Sequence, residues 1–213
     1  MRLIRRILGF IGSILDRRFQ KKIITFQQPL QKVQSRFSDM LRDHVKDWNG
    51  DINYRYSLEF VATRRAGWWA SYPNLYWDTK LGFVLYVKDV SGDMQEKVPI
   101  AMIGFEKDST CLFVRQVQGV EGKQKYLAPL YWEKLLYRVV ILLARRLNLQ
   151  EVRVPTADKS PYHPFANPEA SEHLTFPQCQ TRAYRLHFVY EVIPKHCGFK
   201  WRDEVQAHTF VLL

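Results

Sequence analysis

The stretch Gln116-Val117-Gln118-Gly119-Val120-Glu121-Gly122-Lys123-Gln124-Lys125 joins a strand-like run at residues 111–118 to a long amphipathic helix that opens at Pro129. A strand feeding a helix through such a loop can offer backbone N–H groups and ammonium groups to an anion, with the helix dipole behind them. The alternative is a basic loop that contacts nothing. Upstream, residues 82–90 and 98–107 read as strands joined by the turn Ser91-Gly92-Asp93, and with 111–118 they make an antiparallel meander. Downstream, Leu130, Leu135, Leu136, Val139, Val140, Leu142 and Leu143 give the helix a broad apolar face as far as about Asn148. Residues 151–155 read as a buried strand, 181–196 as a helix with Gly198 at its C-terminal cap, and 199–202 and 206–213 as a closing hairpin. Between them, residues 156–180 form a long Pro- and His-bearing connection of the sort that often carries function.

The first part of the chain is organised differently. Residues 2–19 place Leu3, Ile4, Ile7, Leu8, Ile11, Ile14 and Leu15 on one helical face, with Arg2, Arg5, Arg6, Arg17 and Arg18 largely opposite. Such a helix packs its stripe on protein (its own domain or a second copy) or lies on an anionic membrane surface. Residues 21–26 are β-prone. Pro29 suits the first turn of a helix bearing Val33, Phe37, Met40, Leu41, Val45 and Trp48 and ending at Asn49-Gly50. Residues 54–63 alternate as a strand. The turn-like run 66–78 carries Trp68, Trp69, Tyr72, Tyr76 and Trp77, which either stack on a flat ligand or plug one end of the sheet; packing is the commoner use of aromatics.

Bulk properties bound the function classes. A chain of 213 residues with 46% hydrophobic and 25% charged residues is a globular protein, and bulk disorder is excluded. The formal net charge is +11, and residues 1–50 hold eleven Lys/Arg against four Asp, so +7 of it lies there. That imbalance favours an anionic partner: a membrane surface, an acidic protein or nucleic acid. Arg64-Arg65 beside Trp68-Trp69 has the basic and aromatic make-up of single-strand binders, but no nucleic-acid signature accompanies it. Three cysteines without a CxxC point to a reduced, cytoplasmic setting, peripheral to a membrane if the arm docks there. No segment reaches eighteen apolar residues. His163, His173, His187 and His196 follow no zinc spacing, and Cys179 and Cys197 do not complete one, so no metal is expected.

The order β-β-β-α-β-α-β-β over residues 82–213, with Gln116-Val117-Gln118-Gly119 before the long helix and Gly198-Phe199 after the helix bearing Tyr190, resembles the acyl-CoA N-acyltransferase superfamily, the GNAT-like proteins. The resemblance implies an α/β (α+β) fold with a mixed, mostly antiparallel sheet flanked by helices. It divides the chain into a basic helical arm at 1–50 and a GNAT-like domain at 51–213. It also implies acyl-CoA bound near Gln116, Gln118, Gly119, Gly122, Lys123 and Lys125, and an amine as acyl acceptor. Glu121 stands where that family's turn has a second small residue, and Pro194 where it often has a tyrosine.

For amine acylation, Glu59 and Glu106 are the strand carboxylates placed to act as general base, and Tyr190 is the candidate general acid. As structural residues, both carboxylates would face solvent and Tyr190 would pack its ring. Two functions therefore follow: an acyltransferase, or a non-catalytic module that keeps the fold and docks through its basic arm.

Overall fold

The computed structural model describes residues 23–44, 54–63, 67–68, 75–89 and 96–212. The basic segment 2–19, Arg64-Arg65, Trp69 and Tyr72 lie outside the described residues. In chain order the elements are α1 (Gln27–His44), β1 (Tyr54–Ala62), β2 (Gly67–Trp68), β3 (Tyr76–Trp77), β4 (Leu81–Asp89), β5 (Val98–Lys107) and β6 (Cys111–Gly119). They continue with α2 (Gln124–Leu127), α3 (Trp132–Arg146), β7 (Glu151–Val154), α4 (Phe176–His187), α5 (Ile193–His196), β8 (Lys200–Arg202) and β9 (Ala207–Val211). Seven strands form a mixed, mostly antiparallel sheet in the order β1-β4-β5-β6-β7-β9-β8, and β2 pairs with β3 in a separate ribbon. The fold is α+β, with helices flanking the sheet.

Period-two alternation decides which side chains go to which face. Phe83, Leu85, Val87, Ile103, Phe105, Leu112 and Val114 share the main core with Leu135, Leu136, Val139, Val140 and Leu143 of α3. The interleaved residues Val84, Tyr86 and Met102 point the other way, into a smaller cluster with Val61, Leu75, Trp77 and Val120. Trp77 is therefore a fully buried plug on that second face. Glycine lets the chain come so close. A Cβ on Gly104 would sit 2.3 Å from Thr79 Oγ1, and one on Gly82 would sit 2.7 Å from the Trp77 ring.

Residues 23–26 are not a strand. Phe26 N–H donates to the Ile23 carbonyl in a turn, and Phe26, Leu30, Val33 and Phe37 form a helically spaced stripe buried in the main core. Burying that stripe outweighs the local β-preference of an Ile-Ile-Thr run. The helix after residues 156–180 starts at Phe176, five residues earlier than the sequence reading, because Thr175 and Gln178 form a capping box with Pro177 in the first turn. It is then interrupted by a π turn, Phe188–Val192. Pro194 lacks an N–H to donate back into the helix, which accounts for a widened turn just before it.

The parallel pair β6–β7 is joined only at Cys111↔Glu151, Leu112↔Val152 and Phe113↔Arg153. Beyond Phe113 the strands part: β6 runs on to Gly119, while β7 ends at Val154. Among the described residues no helix is long and apolar enough to cross a membrane.

Candidate functional site

Where β7 leaves β6, the free backbone edge of β6 is met by a side chain. Tyr190, in the π turn and 2% exposed, accepts a hydrogen bond from Val117 N–H at 3.2 Å and donates one to the Arg115 carbonyl at 3.2 Å. The π turn is held against α3 by the Tyr137 hydroxyl, which donates to the Val189 carbonyl at 3.0 Å. A single phenol thus does the hydrogen bonding that a continued parallel strand would do. Burial pushes the Tyr190 phenol well above its ordinary pKa; the Val117 N–H opposes that and the charge of Asp78 adds to it. Tyr190 therefore remains protonated, a donor.

Asp78 belongs to the same neighbourhood. Gln116, only 4% exposed, uses its whole amide to hold the segment that carries it. Its Nε2 donates to the Tyr76 carbonyl at 2.6 Å and to Gln118 Oε1 at 3.2 Å, and its Oε1 accepts from Asp78 N–H at 3.1 Å. The half-buried Asp78 carboxylate accepts a hydrogen bond from the Tyr162 hydroxyl. Burial raises the Asp78 pKa, and the Tyr162 hydrogen bond partly offsets it. Tyr162 is in turn raised, by burial first and then by Asp78. The result is one carboxylate with a raised pKa and two phenols that stay protonated at rest, around the opening in the sheet.

The loop after β6 closes on the sheet before reaching α3. Val120 N–H donates to the Ile100 carbonyl at 2.8 Å, and Lys123 N–H to the Val120 carbonyl at 3.3 Å. Gly122, with φ +76°, turns the chain into α2, and a 3₁₀ turn at Ala128–Leu130 and a left-handed Tyr131 precede α3. Gly119 lies under the indole of Trp132, which a Cβ would approach to 3.1 Å. Lys125 places its ammonium over the Tyr126 ring at 4.6 Å. Glu133, in the first turn of α3, has its pKa raised by burial.

Gln116, Gln118, Gly119 and Tyr190 come together at the opening, Gln116 as a tether of the Tyr76–Trp77 segment. Gly122, Lys123 and Lys125 lie on the turn beyond. Glu59 pairs with Lys97 and Glu106 with Arg115 at 3.1 Å, both at half-exposed positions. Asp78 and Tyr162 carry no motif in the sequence. Their only signals were the aromatic run ending Tyr76-Trp77-Asp78 and the length of the connection holding Tyr162. Among the described residues no three His, Cys, Asp or Glu side chains converge as a metal site. No protein-family model matches the chain, and no curated protein matches it.

Proposed function

We propose that the chain is a GNAT-like N-acyltransferase that moves an acyl group from acyl-CoA, or a related thioester, to an amine at the opening between β6 and β7. The observation that carries this reading is the parting of those strands after Phe113, which exposes the Arg115 carbonyl and Val117 N–H to a hydroxyl and not to another strand. An extended amide-bearing arm, such as the pantetheine of CoA, presents alternating N–H and C=O groups that match this edge once Tyr190 swings aside. Lys123 and Lys125 would face the anionic end of the donor. The turn's own amides contribute less, since those of Val120 and Lys123 are already bonded internally.

In this scheme the side chains chiefly position and neutralise. Asp78, desolvated and raised in pKa, accepts the proton that the amine loses as its nitrogen bonds to the thioester carbonyl carbon. When the C–S bond breaks, the departing thiolate takes the proton of the Tyr162 hydroxyl as the proton that Asp78 took from the amine passes to Tyr162, so both side chains return to their starting state.

The second reading, a non-catalytic module that docks through its basic arm onto a protein assembly, membrane surface or nucleic acid, is favoured by the same tyrosine. Tyr190 already satisfies both groups of the open edge, and Glu121 adds a negative charge to the turn. Thermal shift with acetyl-CoA and longer acyl-CoAs separates the two. A donor at a hundred times its dissociation constant adds about 2.7 kcal/mol of stability. Such a shift supports the transferase; no shift with any of them leaves the module.

A further inference from the structure

The two edges of the seven-stranded sheet are built differently. At one end β8 has three residues, Lys200–Arg202, with a cation at either end, a short charged edge of the kind that resists further pairing. At the other end β1 has nine, Tyr54–Ala62, about 30 Å of strand. It contains no Pro and no Gly. Its register with β4 runs from Tyr54↔Asp89 to Ala62↔Leu81 without a shift, whereas the β4–β5 and β5–β6 pairs each carry an irregularity. Among the described residues no strand pairs with the outer edge of β1. Along a regular edge every second residue turns its N–H and C=O outward, the arrangement that receives another strand.

The side chains of β1 decide which strand fits. Tyr56, Leu58 and Phe60 belong to the main-core face, with Phe60 stacked on Phe26 at 5.7 Å. Arg55, Ser57 and Glu59 alternate with them on the outer face. Arg55 and Ser57 are exposed, and Lys97 holds the Glu59 carboxylate through Oε1, which leaves Oε2 for a second cation. We propose that the occupant of this edge is β1 of a second copy of the chain, paired antiparallel about a two-fold axis at Ser57. The sheet then continues from one copy into the other. In a two-fold pairing, residue i faces j and j faces i. A centre at Ser57 sets Arg55 opposite Glu59 of the second copy, Tyr56 opposite Leu58, and Ser57 opposite itself. Both ion pairs form at once on the outer face, and apolar side chains meet on the core face. A centre at Leu58 would set Arg55 against Val61 and Glu59 against Ser57; a centre at Tyr56 would set Arg55 against Ser57. Neither joins opposite charges, so charge selects the register. β4 and β5 lie between β1 and β6, and the pairing therefore stands apart from the opening at Tyr190.

The test is sedimentation equilibrium of the full chain over a concentration series, in which the parent should dimerise. Arg55→Glu sets Glu against Glu twice, and Glu59→Arg sets Arg against Arg twice. Each should raise the dimer dissociation constant at least about tenfold while circular dichroism stays native. Mixed in equal amounts, the two variants should form a heterodimer of parent-like affinity, because every 55–59 pair then joins opposite charges. As a second measurement, Ser57→Cys should give a disulfide dimer under mild oxidation, since directly opposed residues lie within disulfide reach. The parent, with Cys111, Cys179 and Cys197 alone, should not. A chain that stays monomeric at every concentration overturns the proposal. So does a dimer that survives both single variants, which would sit on another surface. Variants that fail to rescue each other on mixing overturn it as well, leaving this edge to a different register or to an extended peptide of another protein.

Discussion

The carboxylate of Asp78 accepts a hydrogen bond from the hydroxyl of Tyr162, across 84 positions of sequence. This contact ties the segment lying on the outer face of the sheet to the long connection after β7, and it gives the opening an acid–base pair. If Asp78 is the general base, Asp78→Asn should reduce acyl transfer by about 10²–10⁴-fold while near-ultraviolet circular dichroism stays native. The pH profile carries more information. Burial raises the Asp78 pKa from its ordinary value, and the Tyr162 hydroxyl, which favours the charged form, moderates that. Tyr162→Phe should therefore move the acidic limb of kcat/KM to higher pH. A limb that stays where it is would remove Asp78 from the mechanism.

Tyr190 is a second point of leverage, because it stands in for a missing strand. Tyr190→Phe keeps the ring in the core and deletes the hydroxyl between Val117 N–H and the Arg115 carbonyl. Leaving these buried groups unpaired should cost about 1–3 kcal/mol in urea unfolding, with faster hydrogen exchange at the Val117 amide. An unchanged exchange rate would mean that β6 finds another partner there.

Much of this architecture could be read in the chain. The meander was legible because Phe83, Leu85 and Val87 alternate with Val84 and Tyr86, and each set has its own core to fill. The strand order itself needed the paired register. Two local readings failed for identifiable reasons: residues 23–26 gave up β-preference to bury Phe26 in a helical stripe, and the Thr175–Gln178 cap set the start of α4. The site was the least legible part. Asp78 matters because Gln116, 38 positions later, grips its backbone, and because Gly104 leaves room for Thr79; neither relation has a periodicity or motif to announce it.

Gln116 is expected to be a stability residue as much as a site residue. Gln116→Leu would remove three hydrogen bonds and strand the Tyr76 carbonyl and the Asp78 N–H. The expected loss is about 1–3 kcal/mol, with protease sensitivity appearing first around residues 76–79. Gly104→Ala should act on the same segment from below. A Cβ there lies 2.3 Å from Thr79 Oγ1 and must displace it, an overpacking cost of about 1–3 kcal/mol. The Thr79→Ala, Gly104→Ala pair should cost less than the sum of the singles, because the first substitution removes the atoms that the second would strike.

His208 sets a pH limit on stability at the far edge of the sheet. It is 3% exposed on β9, neither ring nitrogen has a hydrogen-bond partner among the described residues, and the Trp201 ring meets it edge-on at 5.3 Å. Burial lowers its pKa below the ordinary value of 6.5; Lys195 reinforces that and Glu191 opposes it. The folded state then binds fewer protons than the unfolded chain as pH falls through 6.5, so His208 makes stability drop on acidification and has no such effect above neutrality. The melting temperature should fall between pH 7.5 and 5, and His208→Leu should shrink that fall while leaving the value at pH 7.5 equal or higher, since two unsatisfied nitrogens are gone. An identical acid slope in the variant would place the proton uptake on another residue.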